Sequence, residues 1–101
     1  VNDQGVIFMY DPASSSFSKL ADFDQSSASG GFPYGSLTVL DGKFYGLSQQ
    51  GGSNNRGVVF EFDPVTGLFT NGASFDDLNG AFPSGSLIAY NGKLYGMTGT
   101  G

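Results

Sequence analysis

The sequence predicts an all-β protein built from a duplicated four-stranded unit. Three observations predict it. "GVIFMYDP" from Gly5 returns as "GVVFEFDP" from Gly57, an offset of 52 residues. "GGFPYGSL" from Gly30 returns as "GAFPSGSL" from Gly80, an offset of 50, so the second copy has lost two residues. Within each copy short apolar runs alternate with turn residues, and no stretch sustains an i, i+3, i+4, i+7 apolar stripe.

Each element has a local reason. "SLTVL" and "KFYGL" flank Asp41-Gly42, and "SLIAY" and "KLYGM" flank Asn91-Gly92. Asp-Gly and Asn-Gly between apolar runs predict hairpins, because a type I′ turn needs φ > 0 at both central residues. "GVIFMY" and "GVVFEF" are β-branched and aromatic, and supply a third strand. It ends at Asp11-Pro12 or Asp63-Pro64, where proline removes a ladder donor and opens a turn. "SFSKLADF" and "LFTNGASF" make a fourth strand of more mixed character. The two-residue deletion falls opposite "DQSSASGG", in a stretch composed like a surface loop.

Four antiparallel strands in about 50 residues, repeated in tandem, are the pattern of a β-propeller blade. A duplicated two-sheet sandwich is the alternative. The two periods, 52 and 50, sum to 102 against a chain of 101 residues. The chain therefore reads as strands three and four, one whole blade, then strands one and two. The repeat units run about 5–56 and 57–101, with 1–4 continuing a neighbouring chain's loop. Two half blades leave open sheet edges, and such edges recruit other chains. The expectation is a ring closed by head-to-tail homo-oligomerisation, "KLYGM" of one chain pairing with "GVIFMY" of the next. Three chains are favoured over four, as the smaller ring with room for large aromatics between blades. Val1 in place of Met reads as a processed, excised or engineered chain, either a natural two-repeat protein or a piece of a longer propeller.

Composition narrows the function. Net charge is −5, and Lys19, Lys43, Arg56 and Lys93 are the only cations. Four scattered positive charges cannot neutralise a run of phosphates, so neither nucleic acid nor an anionic membrane surface is an expected partner. No apolar run approaches the ~18 residues of a spanning helix. The chain has no His and no Cys, which removes the commonest general base, the thiol nucleophile and the thiolate metal site. No enzyme activity and no cofactor are expected.

"DGKFYGLSQQGG…RGVVFEFDP" and "SFDDLNGAFPSGSL" resemble the GloVer-type tandem repeat of bacterial choice-of-anchor proteins, and are more distantly similar to kelch blades. The resemblance covers the whole chain. It implies a secreted or cell-surface propeller and transfers no catalytic residues.

Strand parity then sorts the connections. The tight turns, Asp41-Gly42 and Asp63-Pro64 with their copies, fall on one face. The longer segments 48–57, 24–35 and 76–85 fall on the other, and long loops on a rigid scaffold are where binding resides. There Gln49, Gln50, Asn54, Asn55 and Arg56 offer planar donors and acceptors suited to sugar hydroxyls, and Tyr34 a stacking surface. Loop solubility is the simpler reading of the amides and of Arg56. A glycan-binding lectin is thus the second functional reading, against which stands the absence of Trp. Phe32-Pro33 and Phe82-Pro83 are read as packing between blades. Asp22, Asp24, Asp76 and Asp77 lack the spacing of a calcium loop and are read as turn caps and edge protection.

Overall fold

The computed structural model describes residues 4–24, 29–76, 78 and 80–100. Among them are eight strands and no helix: β1 (Val6–Asp11), β2 (Ser16–Asp22), β3 (Gly31–Leu40), β4 (Lys43–Gln50), β5 (Val58–Asp63), β6 (Leu68–Ser74), β7 (Ala81–Tyr90) and β8 (Lys93–Thr100). All pair antiparallel, in three sheets: β1-β2, then β3-β4-β5-β6, then β7-β8. One four-stranded sheet thus lies in sequence between two half sheets, as the repeat phase predicts.

The turns follow their chemistry. Asp41 and Gly42 have φ of 52° and 78°, and Asn91 and Gly92 have 51° and 74°. Both central residues are left-handed, which suits the right-handed strand twist. At the other turns, Asp63 Oδ1 accepts from the Val65 amide at 2.8 Å, and Asp11 Oδ1 from that of Ala13 at 2.9 Å. In these side-chain turns the carboxylate accepts the amide two residues on, the residue after the proline.

β3, β4 and β7 are longer than the apolar runs suggest. β3 begins at Gly31 and β7 at Ala81, so "FPYG" and "FPSG" are strand and not loop. Likewise β4 extends through Gln49 and Gln50. Proline is tolerated because β3 and β7 are edge strands, and both carry a register shift, between Tyr34 and Thr38 and between Ser84 and Ile88. The loops expected at 24–35, 48–57 and 76–85 are shorter by those residues.

The four-stranded sheet is packed on both faces. Phe60 and Phe62 meet Ile7 and Phe23 of the first half sheet, with Ala21, Phe44 and Phe69 at the margin. The rings stand 4.9 to 5.6 Å apart, tilted or edge-on, in the arrangement that aromatic quadrupoles favour. On the other side the edge strands β3 and β7 touch: Thr38 Oγ1 donates to the Leu87 carbonyl at 2.6 Å, and the Ser36 amide donates to Ser86 Oγ at 2.9 Å.

Repeat-equivalent residues differ sharply in exposure. Phe60 and Phe62 are 1% and 0% exposed, whereas their counterparts Phe8 and Tyr10 are 56% and 53%. Leu47 is 2% exposed and its counterpart Met97 is 74%. Leu87 is 7% exposed and Leu37 is 43%. The sequence makes these positions apolar in both copies; the fold buries them where the four-stranded sheet covers them, as at Leu87 beside Leu47 and Val59, and leaves them exposed where a two-stranded sheet offers no such cover.

Candidate functional site

Antiparallel pairing places the segment 51–57 and the ends of β2, β4 and β6 together, opposite the four tight turns. Backbone bonds repeat across this end. The Phe23 amide donates to the Gly5 carbonyl and that of Phe75 to Gly57, at 2.9 and 3.0 Å. Phe32 donates to Gln4 and Phe82 to Arg56, both at 2.9 Å. The residues just before β1 and β5 are thereby tied both to the residue after β2 or β6 and to the start of β3 or β7.

These ties impose an unusual backbone. Phe32 and Phe82 have φ of 54° and 53°, although a residue before proline ordinarily lies in the extended region. A bulky residue held left-handed costs roughly 1–3 kcal/mol and persists only where its surroundings determine it. Both rings remain exposed. Pro83 is fully buried, in line with inter-sheet packing, but the Phe82 ring lies outside with the Arg56 guanidinium 5.7 Å from its centroid. That stacking is worth about 0.5–1 kcal/mol at an exposed site. The repeated "FP" was the one trace of this feature in the sequence.

The predicted binding residues separate into two places. Gln49 and Gln50 end β4, and Asn54, Asn55 and Arg56 follow in the loop. Asn54 is exposed. Asn55 has φ of 54°, and its Oδ1 accepts the Gly51 amide at 2.7 Å, so its side chain closes the loop. Tyr34 instead lines a cavity of about 270 Å³ with Val6, Phe8, Leu37, Gly46 and Phe60, and none of the other five residues borders it. Tyr34 therefore lies apart from the other five, which follow one another along the end of β4 and the loop after it.

The acidic residues have local partners. Asp22 meets Lys19 at 3.1 Å, Asp24 Oδ1 accepts from Ser29 Oγ at 2.9 Å, and Asp76 Oδ1 accepts from the Leu78 amide at 3.1 Å. Asp77 and residues 25–28 lie outside the described residues. Among the described residues no cluster of three or more potential metal ligands forms. Tyr45 Oη donates to Glu61 Oε1 at 3.1 Å. Burial, and then the neighbouring Glu61 carboxylate, push this phenol above the usual tyrosine value.

No curated protein and no solved structure matches the chain. The recurrence of strands, bulges, turn residues and carbonyl ties at offsets of 50 and 52 is that of one unit used twice. The family model of the Gloeobacter/Verrucomicrobia repeat matches residues 1–101, and the chain belongs to that repeat family.

Proposed function

We propose that the chain is a non-catalytic assembly and binding module whose half sheets are completed by another copy of itself, closing a β-propeller ring. The supporting observation is the contrast between equivalent positions: Phe60, Phe62 and Leu47 are buried, whereas Phe8, Tyr10 and Met97 are not. Burying each such side chain contributes about 1.5–3 kcal/mol. The surface that would cover them has the shape of the repeat, which another copy of the chain carries. Rings of three chains, with six blades, are favoured over rings of four. The absence of His and Cys supports a non-catalytic role.

Sedimentation or mass photometry at micromolar concentration checks this reading. A discrete oligomer is expected, at three times the 10.5 kDa chain for the favoured ring. A dispersed, folded 10.5 kDa species overturns it.

A second reading, glycan binding at the long-loop end, is favoured by the exposed Phe32 and Phe82 rings beside polar loops. Stacking on a sugar face needs an aromatic surface of this kind, and Gln49, Gln50, Asn54 and Arg56 add donors. Calorimetry with glycans selected on an array tests it. Phe82→Ser should weaken binding about tenfold, a loss of ~1.4 kcal/mol, with the oligomer mass unchanged. An array on which no glycan binds removes this reading. Asn55 is unsuited to such a test, because its side chain holds the loop.

A further inference from the structure

The half sheets carry enough geometry to specify how two chains would meet. β7-β8 reproduces β3-β4 pair for pair: Gly31–Gln50 recurs as Ala81–Thr100, Pro33–Ser48 as Pro83–Thr98, and Leu40–Lys43 as Tyr90–Lys93. β1-β2 reproduces β5-β6, including the register shift between Val59 and Phe60, which recurs between Ile7 and Phe8. The pairing without a second example is β4–β5, which joins Phe44 to Phe62, Tyr45 to Glu61, Gly46 to Phe60, Leu47 to Val59 and Ser48 to Val58.

Building on the head-to-tail reading above, we propose that the joint between chains copies β4–β5. β8 then meets β1 of a second copy in the register Leu94 to the partner's Tyr10, Tyr95 to the partner's Met9, Gly96 to the partner's Phe8, Met97 to the partner's Ile7 and Thr98 to the partner's Val6. Adding 50 to the β4 numbers and subtracting 52 from those of β5 gives these pairs.

Three further observations carry it. The Phe60 ring lies directly on Gly46, where a Cβ would stand 2.6 Å from its Cζ. The equivalent Gly96 borders a cavity of about 260 Å³ with Leu47, Val59, Leu87, Leu94 and Met97. Phe8, the counterpart of Phe60, is exposed on β1 and already stacked on Phe17 at 5.3 Å. The partner's Phe8 fills the cavity over Gly96 as Phe60 covers Gly46.

The two edges also lack protection. Neither Val6–Tyr10 nor Leu94–Thr98 contains a charge or a proline, the usual means of keeping an edge strand from pairing. Glu61, which bonds Tyr45 within the chain, is Met9 in the first copy. The inter-chain joint therefore buries no carboxylate.

The chain has no cysteine, so engineered pairs read the register directly. Opposed residues in an antiparallel pair lie within disulfide reach, whereas diagonal ones stand about 7–8 Å apart and do not. Met9→Cys with Tyr95→Cys, oxidised in the assembled state, should give disulfide-linked multimers. Asp11→Cys with Tyr95→Cys should stay largely unlinked. Efficient linking of the second pair and not the first overturns the register. An oligomer by mass in which neither pair links overturns the joint while leaving assembly standing; a monomer by mass overturns both. If the reduced double variant is unfolded or dissociated, the unsubstituted chain answers. Its amides over 6–10 and 94–98 should exchange more slowly as chain concentration rises, and unchanged exchange overturns the inference.

Discussion

Phe60→Ala should destabilise the chain by about 3–5 kcal/mol, the range for truncating a buried phenylalanine. Its ring is 1% exposed, contacts Phe23 and Phe69 at 5.1 and 5.6 Å, and covers Gly46. Removing it opens a void at the centre of the core that joins the first half sheet to the complete one. Such a loss is a large part of the 5–15 kcal/mol of a typical domain, so the denaturation midpoint should fall at every chain concentration. Phe8→Ala, the same substitution one repeat earlier, should behave differently. The Phe8 ring is more than half exposed, and among the described residues it stacks on Phe17. Its loss should leave the single-chain core intact and move assembly to a higher concentration, by tenfold for each ~1.4 kcal/mol lost at the joint. Denaturation and mass measurements over a dilution series separate the two outcomes. Equal, concentration-independent losses for both variants would contradict the proposed ring.

Gly35→Ala should be the second large effect, about 2–5 kcal/mol. Its φ is +83°, where an L side chain costs about 1–2 kcal/mol. An added Cβ would also overlap the Gly85 carbonyl oxygen and press on Ser86 Oγ, and overpacking adds about 1–3 kcal/mol. The obstacle is backbone, so it cannot rotate away. β3 and β7 would part, and with them the Ser36–Ser86 and Thr38–Leu87 hydrogen bonds. Gly85, the repeat equivalent, has φ of +78° and nothing within 4 Å of its added Cβ. Gly85→Ala should cost the isolated chain only the backbone term, and should cost the ring as much as Gly35→Ala costs the chain. Thermal melts of both variants, dilute and concentrated, check this. A Gly85→Ala variant that assembles like the parent chain would argue against β3 of a second copy facing Gly85.

The repeat phase and the hairpins could be read from sequence because their causes are local. Asp41-Gly42 and Asn91-Gly92 are left-handed for reasons contained in those dipeptides. The same holds for the alternation in "VVFEFD", whose burial runs inward and outward residue by residue. Strand ends were less legible. Phe32-Pro33 and Phe82-Pro83 look like loop, and become strand only because an edge position asks proline for no donor. Their left-handed phenylalanines depend on carbonyls at Gln4 and Arg56, 28 and 26 residues earlier, which no local rule contains. Asn55 showed the same limit in the loop cluster. Its amide suggested ligand recognition, whereas its bond to Gly51 gives it a place in the loop's own closure.

Every strand in the three sheets pairs with its immediate neighbour along the chain. Loop closure is therefore brief throughout, and hairpins of this kind form in about 1–10 μs. Proteins made of distant pairings fold slowly because the closing entropy must be met before the contacts reward it. In this chain no strand waits for a distant one to emerge or to be found. If a second copy supplies the missing pairing, the one slow encounter has been moved out of the polypeptide and into solution. Dilution then delays docking without delaying the hairpins, and the time a half sheet spends with a bare edge is set by concentration and not by the length of the chain.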